Sequence, residues 1–243
     1  MALKISSLNS SRCRLLLENT AFAKTIPPGA LVLDAGAGDA PYRSLFAHAR
    51  YESADFLSSN RKYAKPTYEC DLVSIPVEDA RFDFVVFNQV MEHLPEPGAV
   101  LAELFRVLKP SGKMIYTGPL FFEEHEQPYD FYRYTRFGVR HLFEKAGFAV
   151  ERLDWLEGFF GTTGYALFAI ARFLPRKPSE MPGSAVVALT LCPVMCILKA
   201  VFWILSIVFQ HLESHVKCTA RGFPKNYVAV LVKPASQLPA ENC

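Results

Sequence analysis

Three groups of residues in this 243-residue chain have types and spacings suited to chemistry. The first is Leu31-Val32-Leu33-Asp34-Ala35-Gly36-Ala37-Gly38-Asp39, an apolar run that ends in an acid and two glycines one residue apart. Glycine has no Cβ, so Gly36 and Gly38 let the main chain turn sharply and let a ligand lie against it. Asp34, directly before the first glycine, suits a ligand with a cationic end such as an amino group. Asp55 follows about one βα unit later, and its two carboxylate oxygens can accept hydrogen bonds from two ribose hydroxyls. The second group is Asn88-Gln89-Val90-Met91-Glu92-His93-Leu94, directly after an apolar run. The third is the segment from Pro119 to Phe137, rich in acids and aromatics and holding one histidine. His125 is the candidate general base there, because an imidazole ordinarily titrates near neutrality. Asp130 is the candidate to orient it or act in its place, and Tyr129, Tyr132 and Arg133 are candidates to hold a polar substrate. The plainer alternative is that Asp130 and Arg133 pair to pin the loop while the aromatics pack beneath it.

Elements must place these groups together. The apolar run before Gly36 reads as a buried parallel strand. Pro41 fits the first turn of a helix to about His48, whose free N–H groups would point at the ligand. A helix near 11–23 ends at Pro27-Pro28-Gly29, a strand runs near Tyr51–Asp55, and 58–69 reads as a weak helix or loop. The run Arg81–Phe87 is the next buried strand, and residues just past such a strand's carboxyl end line the crevice of an open α/β sheet. Pro97 to Leu108 has the spacing of an amphipathic helix, stopped by a turn at Lys109-Pro110-Ser111-Gly112, after which Met114–Thr117 forms a strand. Thr135 reads as the N-cap of a helix over about 136–146, ended by Gly147. The alternation predicts an α/β doubly wound, mostly parallel sheet.

The glycine turn, Glu92-His93-Leu94 and Arg106-Val107-Leu108-Lys109-Pro110-Ser111-Gly112, in this order, resemble the class I S-adenosylmethionine-dependent methyltransferases of the methyltransferase type 11-like group. The resemblance implies a Rossmann-like, seven-stranded fold with S-adenosylmethionine as cofactor. It implies that Asp34, Ala35, Gly36 and Gly38 lie under the methionine part and that Asp55 meets the ribose. Glu69-Cys70-Asp71-Leu72 resembles the family's third-strand end, with Asp71 at the adenine amino group and Leu72 as an apolar face. Asn88 and Gln89 should sit near the methionine and the transferred methyl, and His93 on the acceptor side, although a histidine there more often caps or packs. Pro119–Phe137 resembles a loop of bacterial members associated with cell-surface sugar and lipid pathways, whose D-x-x-R-Y-T-like run begins a helix. Phe148–Leu156 and Asn226–Lys233 resemble the sixth and last strands, which pair antiparallel. The implied activity is methyl transfer to a small-molecule, sugar or lipid-linked acceptor. A nucleotide-dependent oxidoreductase is disfavoured by Asp34 and by Pro41, which stands where a third glycine would be needed. A non-catalytic, membrane-associated cofactor-binding adaptor is the other alternative.

The formal charge of +2, without a basic run interleaved with aromatics, gives no reason to expect a nucleic-acid partner. The six cysteines lack C-x-x-C spacing, and no metal is expected. Leu15-Leu16-Leu17, flanked by Arg14 and Glu18, is too short for a signal-peptide core, so the expected location is cytoplasmic. The expected organisation is an N-terminal helical segment (1–29), a catalytic domain (30–156 with 226–234), an apolar helical insertion (157–225) and a tail (235–243). Gly158–Leu174 carries one charge, Arg172, and Met181–Leu212 carries only Lys199. Pro193 is expected to interrupt that second segment. Residues 158–212 are candidates for a peripheral contact with the cytoplasmic face of a membrane, for a spanning hairpin, or for packing on protein. From Ser214 to Ala240 there is no acid, and Lys217, Arg221, Lys225 and Lys233 suit an anionic surface.

Overall fold

The structure, a computed structural model, describes residues 10–56, 65–181 and 183–235. Much of the segment expected as weak helix or loop over 58–69, and most of the tail, lie outside these residues. The chain divides into two compact units, Leu15–Leu156 with Asn226–Cys243, and Met1–Arg14 with Glu157–Lys225.

The first unit is built on a seven-stranded sheet. Its strands are β1 (Leu31–Ala35), β2 (Arg50–Asp55), β3 (Tyr68–Glu69), β4 (Phe82–Asn88), β5 (Leu108–Pro119), β6 (Ala149–Trp155) and β7 (Asn226–Val232). The spatial order is β3-β2-β1-β4-β5-β7-β6, with β7 antiparallel to both neighbours and the other pairings parallel. The strand order reverses between β1 and β4, and the carboxyl ends there form the crevice of a doubly wound fold. Alternating side chains serve both faces. Leu33, Val85 and Met114 pack on one side with Val100, Leu101 and Leu104 of α2 (Pro97–Val107). Val32, Val86 and Ile115 pack on the other with Phe22 of α1 (Ser10–Ala23) and Phe46.

Three local expectations are corrected. No α-helix follows the glycine turn; a single 3-10 turn, Arg43–Phe46, takes its place. Bonds from Gly29 N–H to His48 O and from Arg50 N–H to Ala30 O return the chain to β2 too soon for a longer helix. The helix N-terminus expected to point at a ligand is therefore not formed. The Lys109–Gly112 turn is looped out within β5, because Phe82 pairs with Leu108 while Phe84 pairs with Lys113. Ser111 takes a left-handed φ of 63° there, and Lys233 closes the loop through Ser111 N–H and Gly112 O.

The third correction falls in the second unit, where α4 (Phe159–Phe173) is followed by α5 (Ala185–His215), which continues through Pro193. Two ions of α5 close the ends of α4. Glu213 accepts N–H bonds from Gly158 (2.8 Å) and Gly161 (3.0 Å), at the helix's positive end. Lys199 donates to the carbonyls of Leu174 (2.7 Å) and Arg172 (3.3 Å), at its negative end. At 1.5 Å per residue the two ions stand about 21 Å apart, against about 22 Å for α4. Residues 185–198 extend past α4, and Val186, Leu189 and Ile197 there are each more than 60% exposed. Two of the basic groups expected to face an anionic surface are engaged by the protein instead: Lys225, buried, lies over the Tyr165 ring and donates to Ser11, and half-buried Lys233 donates to the carbonyls of Phe105 and Leu108.

The loop after β5 ends where expected. Thr135 Oγ1 accepts the Gly138 N–H and caps α3 (Arg136–Lys145), and Gly147 follows at φ 97°. Thr135→Ala should lower unfolding stability by about 1 kcal/mol, while Thr135→Ser retains it, as measured by chemical denaturation.

Candidate active site

The exits of β1, β2 and β4 meet at the strand-order reversal. Asp34, 4% exposed, accepts the Tyr51 hydroxyl proton bond at 2.5 Å. Burial pushes its carboxyl up to about 6; the Tyr51 bond opposes this and the Asp55 charge adds to it. Gly36 and Gly38 take φ of 74° and 51°, so the turn uses the freedom that glycine alone has without strain. A Cβ on Gly36 would lie 2.5 Å from the Val90 side chain, so the turn abuts the chain leaving β4. Asp55 Oδ2 accepts the Gly38 N–H at 2.6 Å, tying the end of β2 to the same turn. Burial raises the Asp55 carboxyl, and N–H groups of Gly38 and Phe56 counter the shift.

The remaining residues expected on the cofactor side lie beside these. Cys70 N–H donates to Asp55 O, which brings Asp71 and Leu72 next to the β2 exit. Leu72 is buried in the core, while Asp71 is exposed and accepts the Val73 N–H in a local turn. Asn88 Oδ1 accepts from Thr117 Oγ1 (2.8 Å), Asn88 Nδ2 donates to Asn19 Oδ1 (2.8 Å), and Gln89 Nε2 donates to Thr117 Oγ1 (3.3 Å). Sequence reasoning missed Tyr51, Asn19, Val90 and Thr117. Thr117 pairs with Asn88 in register at the end of β5, so the strand-end rule reaches it; a polar residue on the buried face of α1 is the signal for Asn19.

The loop between β5 and Thr135 docks on the segment after β4. Glu92 O accepts the N–H groups of Phe131 and Tyr132, and Tyr134 Oη donates to Met91 O. Arg133 binds Asp130 with two charged bonds, 2.6 and 2.8 Å, and donates to the carbonyls of Phe122, Glu123 and Tyr132. Arg133 therefore holds the Asp130 carboxyl well below the usual range, and the pair pins the loop as the plainer alternative describes. Asp130 Oδ2 also accepts the His125 N–H and lies 3.4 Å from His125 Nδ1. The His93 and His125 rings meet edge to face, 4.7 Å apart, and His93 Nδ1 bonds Tyr129 O at 2.6 Å. Tyr129 and Tyr132 stand at the rim, 50% and 41% exposed. Glu92, also missed from the sequence, is wholly buried, and burial pushes its carboxyl up to about 8.

A lean turn at a strand-order reversal, with one buried carboxylate before it and a second at the next strand end, lies where open α/β sheets bind their ligands. Residues 33–116 match the methyltransferase domain family. An uncharacterized methyltransferase of Mycobacterium sp. (strain JLS) is 29% identical over 180 residues, covering 64% of this chain and 70% of that protein. A ubiquinone biosynthesis O-methyltransferase of Coxiella burnetii is 31% identical over 77 residues, covering 31% of this chain and 30% of its own length. The crystal structure of a putative sarcosine dimethylglycine methyltransferase from Galdieria sulphuraria shares the fold, with a TM-score of 0.53 at 19% identity, covering 93% of this chain and 85% of that one. Residues 33–116 thus form a methyltransferase domain, on the fold of the class I S-adenosylmethionine-dependent methyltransferases.

Two outcomes follow from this geometry. Gly36→Val, placing its side chain against Val90 at a left-handed φ, should abolish S-adenosylhomocysteine binding in calorimetry; unchanged affinity would remove the turn from the site. Asp34 has a folded-state pKa of about 6, above the ordinary carboxylate value. Its contribution to stability is thus present at low pH and lost as pH rises through about 6. In thermal unfolding, ligand-free protein should lose stability relative to Asp34→Asn across that pH. Stabilisation by S-adenosylhomocysteine should grow over the same interval as the carboxylate ionises, and parallel curves for the two proteins would refute both.

Proposed function

We propose that this methyltransferase works at the cytoplasmic face of a membrane and methylates a small-molecule or sugar acceptor carried on a lipid. The observation that carries the reading is α5. It is the one helix among the described residues long and apolar enough to cross a membrane, and only 11% of its most apolar window is buried. Lys199 and Glu213 are engaged with the ends of α4, so neither ion interrupts the exposed apolar surface. Arg176 and Lys177 stand exposed in the connection beside the overhanging part of α5, and cations next to an apolar helix favour an anionic lipid surface. The name of the Coxiella relative, which refers to ubiquinone biosynthesis, points the same way.

In this reading Asp34 meets the amino group of the cofactor, Gly36 and Gly38 leave room for its methionine part, and Asp55 accepts from its ribose. Asp71 and Leu72 border the adenine, and Asn88 and Gln89, held by Thr117, border the methyl-bearing end. S-adenosylmethionine, when bound, supplies a methyl group activated on a sulfonium sulfur. The chain's own task is alignment and exclusion of water, and the docked loop over β4 serves both. Asp130 and Arg133 are committed to each other. The imidazoles of His93 and His125 are therefore the groups placed to meet an acceptor, with Tyr129 and Tyr132 at the rim.

Two measurements test the proposal. Methyl-labelled S-adenosylmethionine incubated with enzyme and fractionated membranes should leave label in the organic-extractable fraction; label confined to the aqueous fraction would overturn the lipid-linked acceptor. Full-length protein should co-float with anionic vesicles. The double variant Ile197→Glu/Ile204→Glu, at residues 64% and 56% exposed, should stay behind with unchanged S-adenosylhomocysteine affinity.

A further inference from the structure

The carboxyl of Glu92 is an anomaly. The residue is completely buried, yet neither side-chain oxygen has a hydrogen-bond partner among the described residues. A buried polar group left unpaired costs about 1–3 kcal/mol, and more if charged, so the fold carries a penalty here that something else must offset. The carboxyl does not face an apolar wall. Its Oε1 lies 3.9 Å from Nε2 of His93, and His125 stacks edge-on against His93. One ligand atom from each of Glu92, His93 and His125 can be chosen so that all lie within 4.8 Å of one another.

We propose that Glu92, His93 and His125 bind a divalent transition-metal ion of the zinc type. The donor set is two neutral nitrogens and one carboxylate, which suits zinc and its neighbours rather than magnesium or calcium. The surroundings already orient the imidazoles for this. His93 Nδ1 is bonded to Tyr129 O at 2.6 Å, so its proton belongs there and Nε2 presents a lone pair toward Glu92. His125 Nδ1 lies 3.1 Å from Glu123 O and 3.4 Å from Asp130 Oδ2, the same outer arrangement of carbonyl and carboxylate behind a ligating ring. Asp130 is itself fixed by Arg133. Zinc bonds to nitrogen and oxygen are roughly 2.0–2.2 Å long, so the three atoms, now within 4.8 Å of one another, must draw closer together when the ion binds. The ion answers both anomalies together: it gives the buried carboxylate a partner and gives the two touching imidazoles a reason to share a corner. Glu92 and His93 follow β4, and His125 lies in the loop after β5, so the ion also clamps that loop to the chain beside the cofactor turn.

Three protein ligands leave a coordination position for solvent or for an oxygen of the acceptor. That last step rests on the proposed methyl-transfer reading, whereas ion binding does not. The site departs from the sequence expectation of no metal, since residues 93 and 125 are too far apart to form a spaced motif.

The test uses full-length, untagged, reduced protein. His211 and His215 of α5 form another touching imidazole pair, with ring centroids 4.6 Å apart, so the measurements are made in a His211→Ala/His215→Ala background. After dialysis with Zn²⁺ against metal-free buffer, this protein should retain one zinc per chain by elemental mass spectrometry. Co²⁺ in its place should give a visible spectrum without a thiolate charge-transfer band, which excludes the cysteines as ligands. Glu92→Gln and His125→Ala should each weaken Zn²⁺ binding by about tenfold or more, while Mg²⁺ at the same concentration neither binds nor protects. Zinc retention equal in the parent and in both variants, a thiolate band with Co²⁺, or no retention by the parent would overturn the proposal. Should Glu92→Gln not fold, His125→Ala at the accessible rim decides alone. S-adenosylhomocysteine titration runs alongside: intact nucleoside binding with no zinc sinks the metal site only, and zinc binding with label confined to the aqueous fraction sinks the lipid-linked acceptor only.

Discussion

Gly36 and Val90 leave no space between the exits of β1 and β4, and the organisation of the catalytic unit depends on that contact. The position is doubly constrained, by a left-handed backbone and by a neighbour 2.5 Å from where a side chain would begin. It forces the glycine turn and the segment after β4 into one corner. From there Gly38 reaches Asp55, Gln89 reaches Thr117, and Glu92 O receives the loop that follows β5. The glycine turn and the loop after β5 thus border a single piece of backbone, Asn88 to Leu94, and geometry at one is transmitted to the other through peptide units rather than long side chains.

The electrostatics of that corner divide into spent and unspent charge. Asp130 and Arg133 neutralise each other and fasten the loop. Asp34 and Glu92 are different. Each is a carboxyl kept from water with its proton affinity raised by burial, one beside the glycine turn and one beside the paired imidazoles. Perturbed acids gather where a fold has been shaped around a ligand.

Much of this was legible in the chain itself. The glycine turn, the strand ends carrying Asp55 and Asn88, the Thr135 cap and the long apolar insertion all rest on local rules of backbone freedom, periodicity and capping. What sequence reasoning missed is non-local. Tyr51 as the partner of Asp34, Asn19 bonded to Asn88, and Glu92 against His125 each join residues from different elements, and no spacing announces them. Two local errors had physical causes as well. The helix expected after Pro41 had too few residues before β2 reclaimed the chain, and Pro193 removed one hydrogen bond from a helix whose many others propagate past it.

The matched spans of α4 and of the Lys199–Glu213 interval act as a ruler. Insertion or loss of a residue within Phe159–Phe173 would move one end of α4 out of register with its ion on α5, so the two pairings together constrain the length of this stretch. Residues 185–198, which answer to no such gauge, are where the hairpin is free to lengthen or shorten.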